Sequence, residues 1–131
     1  PDKQILKLPK IDQMVAFYVR DSPMIWYDAD FDSSPLWNDV RLDPAMADYM
    51  WGRVFRDIDI TRNIEKLQSP VLVALGRYDY LVAPPFTWEP YRTTIPNMTI
   101  RVFEKSGHTP QYEEQEAFDS VLLQWIMNSY E

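Results

Sequence analysis

Residues 71–75, with the sequence VLVAL, constrain the fold more than any other stretch. The run is apolar throughout and lies between turn residues, Ser69-Pro70 before it and Gly76 after it. A strand with one face in water alternates apolar and polar residues, whereas an unbroken apolar run of this length is typical of a strand buried on both faces. Since such strands usually belong to parallel sheets, we predict a buried parallel strand here.

A second strand is predicted over residues 99–104 (TIRVFE), after a segment long enough to cross from one parallel strand to the next. Pro84-Pro85 begins this segment and Pro96-Asn97 ends it. Apolar side chains recur between them at helical spacing, at Trp88, Tyr91 and Ile95. The order strand, helix, strand predicts parallel pairing through a right-handed crossover.

One acid and the only histidine of the chain follow these two strands. Asp79 lies three residues after Gly76, and His108 lies four residues after Glu104. Neighbouring strands are about 4.8 Å apart, so loops of this length can bring the carboxylate and the imidazole into hydrogen-bond contact. An acid that holds the imidazole tautomer and stabilises the imidazolium is what a histidine general base needs, and active sites collect at the carboxyl edge of open sheets.

These two loops carry a resemblance to a known family. Residues 76–80 (GRYDY) and 106–114 (SGHTPQYEE) resemble the acid loop and the histidine loop of the α/β-hydrolase superfamily, in particular its proline iminopeptidase-like and carboxylesterase-like branches. The likeness covers roughly residues 57–127. It implies an α/β fold of parallel strands with crossover helices, with Asp79 as the acid and His108 as the base of a catalytic triad.

The third member of that triad does not occur in the chain. The superfamily's nucleophile lies on a Gly-x-Ser-x-Gly turn, and the order along its chains is serine, acid, histidine. This sequence has three glycines, Gly52, Gly76 and Gly107, and none flanks a serine in that pattern. We therefore expect the nucleophile upstream of residue 1, and we expect the chain alone to be inactive. Two strands make a marginal sheet, so self-association or pairing with a missing amino-terminal half is also expected.

Residues 1–56 are expected to be the end of the cap that such hydrolases insert before their last strands, and residues 57–131 the carboxyl-terminal part of the core. A short helix is predicted over residues 10–20, a loop over 22–43, and an amphipathic helix over about 44–56 with Asp43 as its N-cap. A short helix begins at Thr61. The final helix begins by about Glu113, where acids suit the helix dipole, and it carries an apolar stripe: Ala117, Phe118, Val121, Leu122, Trp125 and Ile126.

Composition excludes several classes of partner and cofactor. Thirteen basic against twenty acidic residues give a net charge of −7, which disfavours nucleic acid and anionic membranes. The chain has no cysteine and one histidine, so neither a thiolate nor a zinc site is expected. No cofactor is predicted. The absence of cysteine and of a long apolar span fits a cytoplasmic protein.

The aspartates of residues 28–32 (DADFD) open a stretch similar to a calcium-binding EF-hand loop, with Asp39 at its twelfth position. Ser33 stands where that loop needs glycine, Pro35 stiffens it, and the bidentate glutamate is absent. A solvated acidic loop is the simpler interpretation. A further alternative, from the resemblance to aminopeptidases, is that one of these carboxylates holds a substrate ammonium.

Three functional hypotheses remain open. The first is a serine hydrolase that cleaves small ester, amide or short peptide substrates by acyl transfer. The second is a carbon–carbon bond hydrolase or a haloalkane dehalogenase on the same fold. The third is a binding module without catalysis, in which Asp79 is an ordinary turn aspartate and His108 an ordinary turn histidine. Asp57 and Asp59 are weaker candidates for the acid, because they precede the first strand.

Overall fold

The computed structural model describes residues 3–64, 66–95 and 97–129. The chain divides into two compact units, one made of residues 1–22 and 30–60 and the other of residues 23–29 and 61–131. The second unit therefore includes seven residues that we predicted as part of the cap. The assignment of residues 1–56 to a cap stays a prediction.

Two parallel strands form the sheet of the second unit, as predicted. Strand β1 (Val71–Gly76) pairs with β2 (Met98–Phe103) in a register that runs from Val71 opposite Met98 to Gly76 opposite Phe103. Burial is less complete than the apolar run suggested, since only Val73 and Gly76 of β1 are buried and its other four residues are half-buried. The sheet has two strands in the described residues, so β1 has a neighbour on one edge only.

The segment that connects the strands is helical, but it is a 3₁₀-helix over Pro85–Thr93 rather than an α-helix. Pro90 lies inside it and has no N–H to donate. Hydrogen bonds between residues three positions apart form instead, such as those from Thr87 N to Pro84 O at 3.0 Å and from Thr94 N to Tyr91 O at 3.1 Å. Ile95, from the predicted apolar face, is 1% exposed.

Two helices replace the single one that was predicted to begin by about Glu113. Helix α5 (Pro110–Glu113) is followed by Glu114, whose φ of −126° and ψ of 51° interrupt the helix, and α6 (Gln115–Ser129) comes next. The ring of Phe118 on α6 packs 5.7 Å from that of Phe103. The predicted stripe is half-buried at Phe118, Val121, Leu122 and Trp125 and exposed at Ala117 and Ile126.

The remaining elements follow the predictions in part. Helix α1 (Lys10–Arg20) has the predicted bounds, and α4 (Thr61–Ile64) begins where expected. Residues 22–43 were predicted as a loop, which is wrong in two places: they contain α2 (Ser22–Ile25) and a 3₁₀-turn at Ser34–Trp37. Proline is tolerated in the first turn of a helix, so Pro23 and Pro35 do not prevent these turns. A further 3₁₀-turn lies at Ile5–Lys7.

The amphipathic helix of the first unit begins as predicted. The Asp43 side chain accepts hydrogen bonds from Ala45 N at 2.9 Å and Met46 N at 3.2 Å, at the start of α3 (Pro44–Tyr49). A π-helical turn at Met50–Val54 continues it. Much of the predicted apolar face is exposed, including Met46, Tyr49 and Phe55. Within the described ranges, no helix combines the length and the apolar character that crossing a membrane requires.

Replacing Ile95 tests the core of the second unit. In the full-length protein that contains this chain, we expect Ile95→Ala to lower the free energy of unfolding by about 2–5 kcal/mol, because it removes a buried side chain and leaves a cavity. Ile58→Ala is the matched control, since Ile58 is 56% exposed. Denaturant unfolding measures both, and equal losses for the two variants would contradict this account of the core.

Candidate active site

Asp79 and His108 are in direct contact, as their placement after the two strands predicted. His108 Nδ1 lies 2.7 Å from Asp79 Oδ2, between residues 29 positions apart in the chain. The His108 side chain is 41% exposed and that of Asp79 is 10% exposed. The carboxylate is thus the shielded partner and the imidazole the accessible one. A carboxylate accepts a hydrogen bond from Nδ1–H, which makes Nε2 the ring nitrogen available for proton transfer.

The turn that follows β1 holds the Asp79 carboxylate. Its Oδ1 atom accepts hydrogen bonds from Leu81 N at 2.9 Å and Val82 N at 3.4 Å. This is the local turn in which an aspartate caps the N–H groups two and three residues later. One carboxylate oxygen is therefore used by the backbone, and the other points to His108.

The parallel pairing extends beyond the two strand ends and aligns the two loops. Arg77 N donates to Phe103 O, and Tyr78 N donates to Ser106 O, both at 2.9 Å. The Arg77 guanidinium also makes two hydrogen bonds to the Glu104 carboxylate, at 2.9 and 2.6 Å. These bonds lower the pKa of Glu104 and raise that of Arg77. Both side chains are exposed, so solvent screens their charges and the ion pair contributes little to stability.

Two glycines allow backbone segments to meet without side chains between them. A Cβ atom at Gly76 would overlap the carbonyl oxygen of Gly107, and one at Gly107 would overlap the carbonyl oxygen of Ile25. Neither glycine has a positive φ, so the requirement is for space and not for a left-handed conformation. Strand β1, the histidine loop and the chain around Ile25 are therefore in backbone contact.

The segment Met24–Tyr27, which we call the strap, joins the acid loop to the histidine loop. Met24 O accepts a hydrogen bond from Tyr80 N at 3.0 Å, next to Asp79, and Ile25 O accepts one from His108 N at 2.6 Å. Tyr27 N donates to Glu113 Oε2 at 2.6 Å. Its aromatic side chains pack as well, Trp26 against Tyr112 and Tyr27 against Tyr78. Sequence reasoning missed the strap, because its hydrogen bonds use backbone atoms that every residue possesses.

Two adjacent glutamates hold the histidine loop in place by accepting hydrogen bonds from it. Glu113 Oε1 accepts hydrogen bonds from Gly107 N at 2.8 Å and Thr109 N at 3.3 Å, while Glu114 Oε2 accepts from Lys105 N at 2.8 Å and from the Ser106 hydroxyl at 2.7 Å. The sequence suggested only that these acids suit a helix dipole. Their position five and six residues after the only histidine was the available signal for this second role.

Other polar side chains have partners of their own rather than Asp79 or His108. Ser106 is fully buried and donates to Glu114, so it acts as a structural serine. Asp57 pairs with its neighbour Arg56 and precedes β1. In the acidic stretch, Asp32 accepts a hydrogen bond from Ser34 N at 2.9 Å. Among the residues that the structure describes, no group of three or more acidic or histidine side chains is placed to hold a metal ion.

Comparison with known proteins identifies the family. AB hydrolase superfamily protein YclE of Bacillus subtilis (strain 168) is 35% identical over 131 residues, which cover 95% of this chain and 47% of that protein. Proline iminopeptidase of Heyndrickxia coagulans is 36% identical over 67 residues, covering 51% of this chain and 23% of that protein. The chain therefore spans about half the length of the first of these relatives and a smaller share of the second.

A solved structure shares the fold. The α/β fold family hydrolase from Bacillus anthracis str. Sterne superposes with a TM-score of 0.67 at 20% identity, covering 87% of this chain and 41% of that one. No family model matches the sequence. The fold is that of the carboxyl-terminal part of an α/β hydrolase, and the chain belongs to the α/β-hydrolase superfamily.

Substitution of the glycines tests the backbone contact at the site. We expect Gly107→Ala to lower the free energy of unfolding of the full-length protein by about 1–3 kcal/mol, because the new methyl group must displace the Ile25 carbonyl. Gly52→Ala is the control: a Cβ there meets nothing within 4 Å, and alanine favours helix. Thermal unfolding distinguishes them, and a Gly107→Ala protein as stable as Gly52→Ala would refute the close contact.

Proposed function

We propose that this chain supplies the acid and the base of a serine hydrolase that cleaves ester or amide bonds by acyl transfer. The observation that carries the proposal is the 2.7 Å contact between His108 Nδ1 and Asp79 Oδ2 at the carboxyl ends of adjacent parallel strands. Membership of the α/β-hydrolase superfamily supports it. The similarity to a proline iminopeptidase supports amide and aminoacyl substrates as well as esters.

The geometry suits the two proton transfers of acyl transfer. His108 Nε2 takes the proton of a serine nucleophile as its oxygen attacks the substrate carbonyl, and returns that proton to the leaving group. In the second half of the reaction, Nε2 activates the water that hydrolyses the acyl-enzyme. Asp79 stabilises the imidazolium in both steps through Nδ1–H, because its carboxylate is shielded and already oriented by Leu81 N.

The nucleophile and the oxyanion donors come from outside these 131 residues in this proposal. None of the three glycines forms a Gly-x-Ser-x-Gly turn, and the described serine nearest to His108 is fully buried. The rest of the sheet would pair with the open edge of β1, its helices would cover the half-buried faces, and one of its turns would present that nucleophile to Nε2. The expected substrates are small esters, amides or short peptides.

Substitution of the pair tests the proposal in the full-length protein. We expect Asp79→Asn to lower kcat by about 10⁴-fold and His108→Ala by about 10⁶-fold, measured with an activated ester and a prolyl amide. Asp57→Asn is the matched control, since Asp57 is exposed and precedes β1 in the sequence. Full activity in His108→Ala would rule out the triad and favour a binding module.

A second test concerns the missing nucleophile. We expect the 131-residue chain by itself to give no ester or amide turnover, and the full-length protein to lose turnover when the serine of its upstream Gly-x-Ser-x-Gly turn is replaced by alanine. Both follow because the base has nothing to deprotonate without that serine. If the 131-residue chain alone gave turnover, and His108→Ala abolished that turnover, the proposal would be contradicted. An aspartate at the upstream position would instead favour a dehalogenase.

A further inference from the structure

Glu113 connects both sides of His108 to the strap. Its Oε1 atom accepts hydrogen bonds from the N–H groups of Gly107 and Thr109, the residues before and after the histidine, at 2.8 and 3.3 Å. Its Oε2 atom accepts one from Tyr27 N at 2.6 Å. We propose that Glu113 is a positioning residue for the base, fixing the His108 backbone so that the imidazole faces Asp79. This inference rests on the proposed function.

The backbone at the histidine is held by three successive N–H groups. Those of Gly107 and Thr109 donate to Glu113, and that of His108 donates to Ile25 O in the strap at 2.6 Å. Because Tyr27 N binds the other oxygen of Glu113, the strap and the histidine loop are tied to each other through one carboxylate. A shift of the histidine backbone would break several of these bonds at once.

Backbone anchoring matters here because the imidazole has little packing of its own. The His108 side chain is 41% exposed, so its direction depends on the position of its Cα atom and on the single bond to Asp79. Asp79 is fixed by Leu81 N in its own turn, and Tyr80 N ties that turn to Met24 O of the strap. Glu113 therefore fixes the base relative to the strap, which also holds the acid loop.

A carboxylate is needed at this position, and an amide cannot replace it. Both oxygens of Glu113 accept from backbone N–H groups, and a carboxylate has only acceptors. A glutamine would have to turn its NH₂ group either toward Tyr27 N–H or toward Gly107 N–H, which places two donors against each other. One side of the connection would then be lost whichever way the amide is oriented.

Glu114 provides a matched comparison. It too accepts two hydrogen bonds from the same loop, from Lys105 N and the Ser106 hydroxyl, but these residues precede the histidine and belong to neither the strap nor the acid loop. A purely structural role for these acids predicts that Glu113→Gln and Glu114→Gln affect catalysis in proportion to their loss of stability. A positioning role predicts a specific effect on kcat for Glu113→Gln.

The experiment uses the full-length protein with an activated ester, at a temperature where circular dichroism shows each variant folded. We expect Glu113→Gln to lower kcat by about 10- to 100-fold, with a much smaller change in KM, since a misplacement of about 1 Å costs up to this factor. Glu114→Gln is expected to change Tm and kcat far less, because both of its hydrogen bonds end on Oε2 and a single amide oxygen can accept both. Glu113→Asp keeps the charge but is too short to reach both sides, so its kcat also falls.

The outcomes separate this inference from the proposed function. His108→Ala without activity, together with full kcat in Glu113→Gln, would overturn the positioning role and leave the triad intact. Activity in His108→Ala would remove the proposed function itself. Should Glu113→Gln fail to fold, Glu113→Asp decides: full kcat in that variant would equally overturn the inference. Equal kcat losses in the Glu113→Gln and Glu114→Gln proteins would do the same.

Discussion

Backbone contact among three segments is the constraint on which this site depends. The end of β1, the histidine loop and the strap approach so closely at Gly76 and Gly107 that no side chain fits between them. Hydrogen bonds from Tyr78 N to Ser106 O and from His108 N to Ile25 O connect the same three segments. The acid and the base are brought together by this packing, and their own hydrogen bond adds the final orientation.

The two members of the pair are held by different means, which suits different tasks. Asp79 is shielded and accepts two N–H groups of its own turn, so it can remain a fixed charge. His108 is accessible and is anchored through the backbone on either side, which leaves Nε2 free for the proton transfers that we propose. Preorganisation of this kind lowers the cost of orienting groups during the reaction.

The sequence was sufficient for the strand pair and the Asp79–His108 contact, because both follow from local patterns. An unbroken apolar run indicates a parallel strand, and short loops at the ends of neighbouring strands must meet. It was insufficient for the strap, since the hydrogen bonds of Met24–Tyr27 come from backbone atoms, and its aromatic pair, Trp26 and Tyr27, does not reveal which loops it contacts. Gly76 and Gly107 are two of only three glycines in the chain, and that scarcity was an unused signal of close approach.

Other predictions differ from the structure for two reasons. Either the contact that decides the outcome is with a residue far along the chain, or a nearby residue changes the local structure. Helical spacing predicted the crossover segment, but Pro90 imposed the 3₁₀ form. An amphipathic helix was predicted over about 44–56, yet Met46 and Tyr49 of α3 are exposed, because periodicity shows that a face is apolar without showing what covers it. An acid near the start of a helix can favour the helix dipole or accept hydrogen bonds from a neighbouring loop. The sequence of Glu113 and Glu114 suggested the first role, and only the contacts with the histidine loop reveal the second.

The most direct test of the central claim is the tautomer of His108, read from its ¹⁵N chemical shifts in the full-length protein and assigned by comparison with His108→Ala. A carboxylate at Nδ1 requires the proton on that nitrogen in the neutral ring. We expect the neutral ring to carry its proton on Nδ1 and not on Nε2. We expect Asp79→Asn to lose this preference for the proton on Nδ1. A neutral ring protonated at Nε2 in the unmodified protein would contradict it.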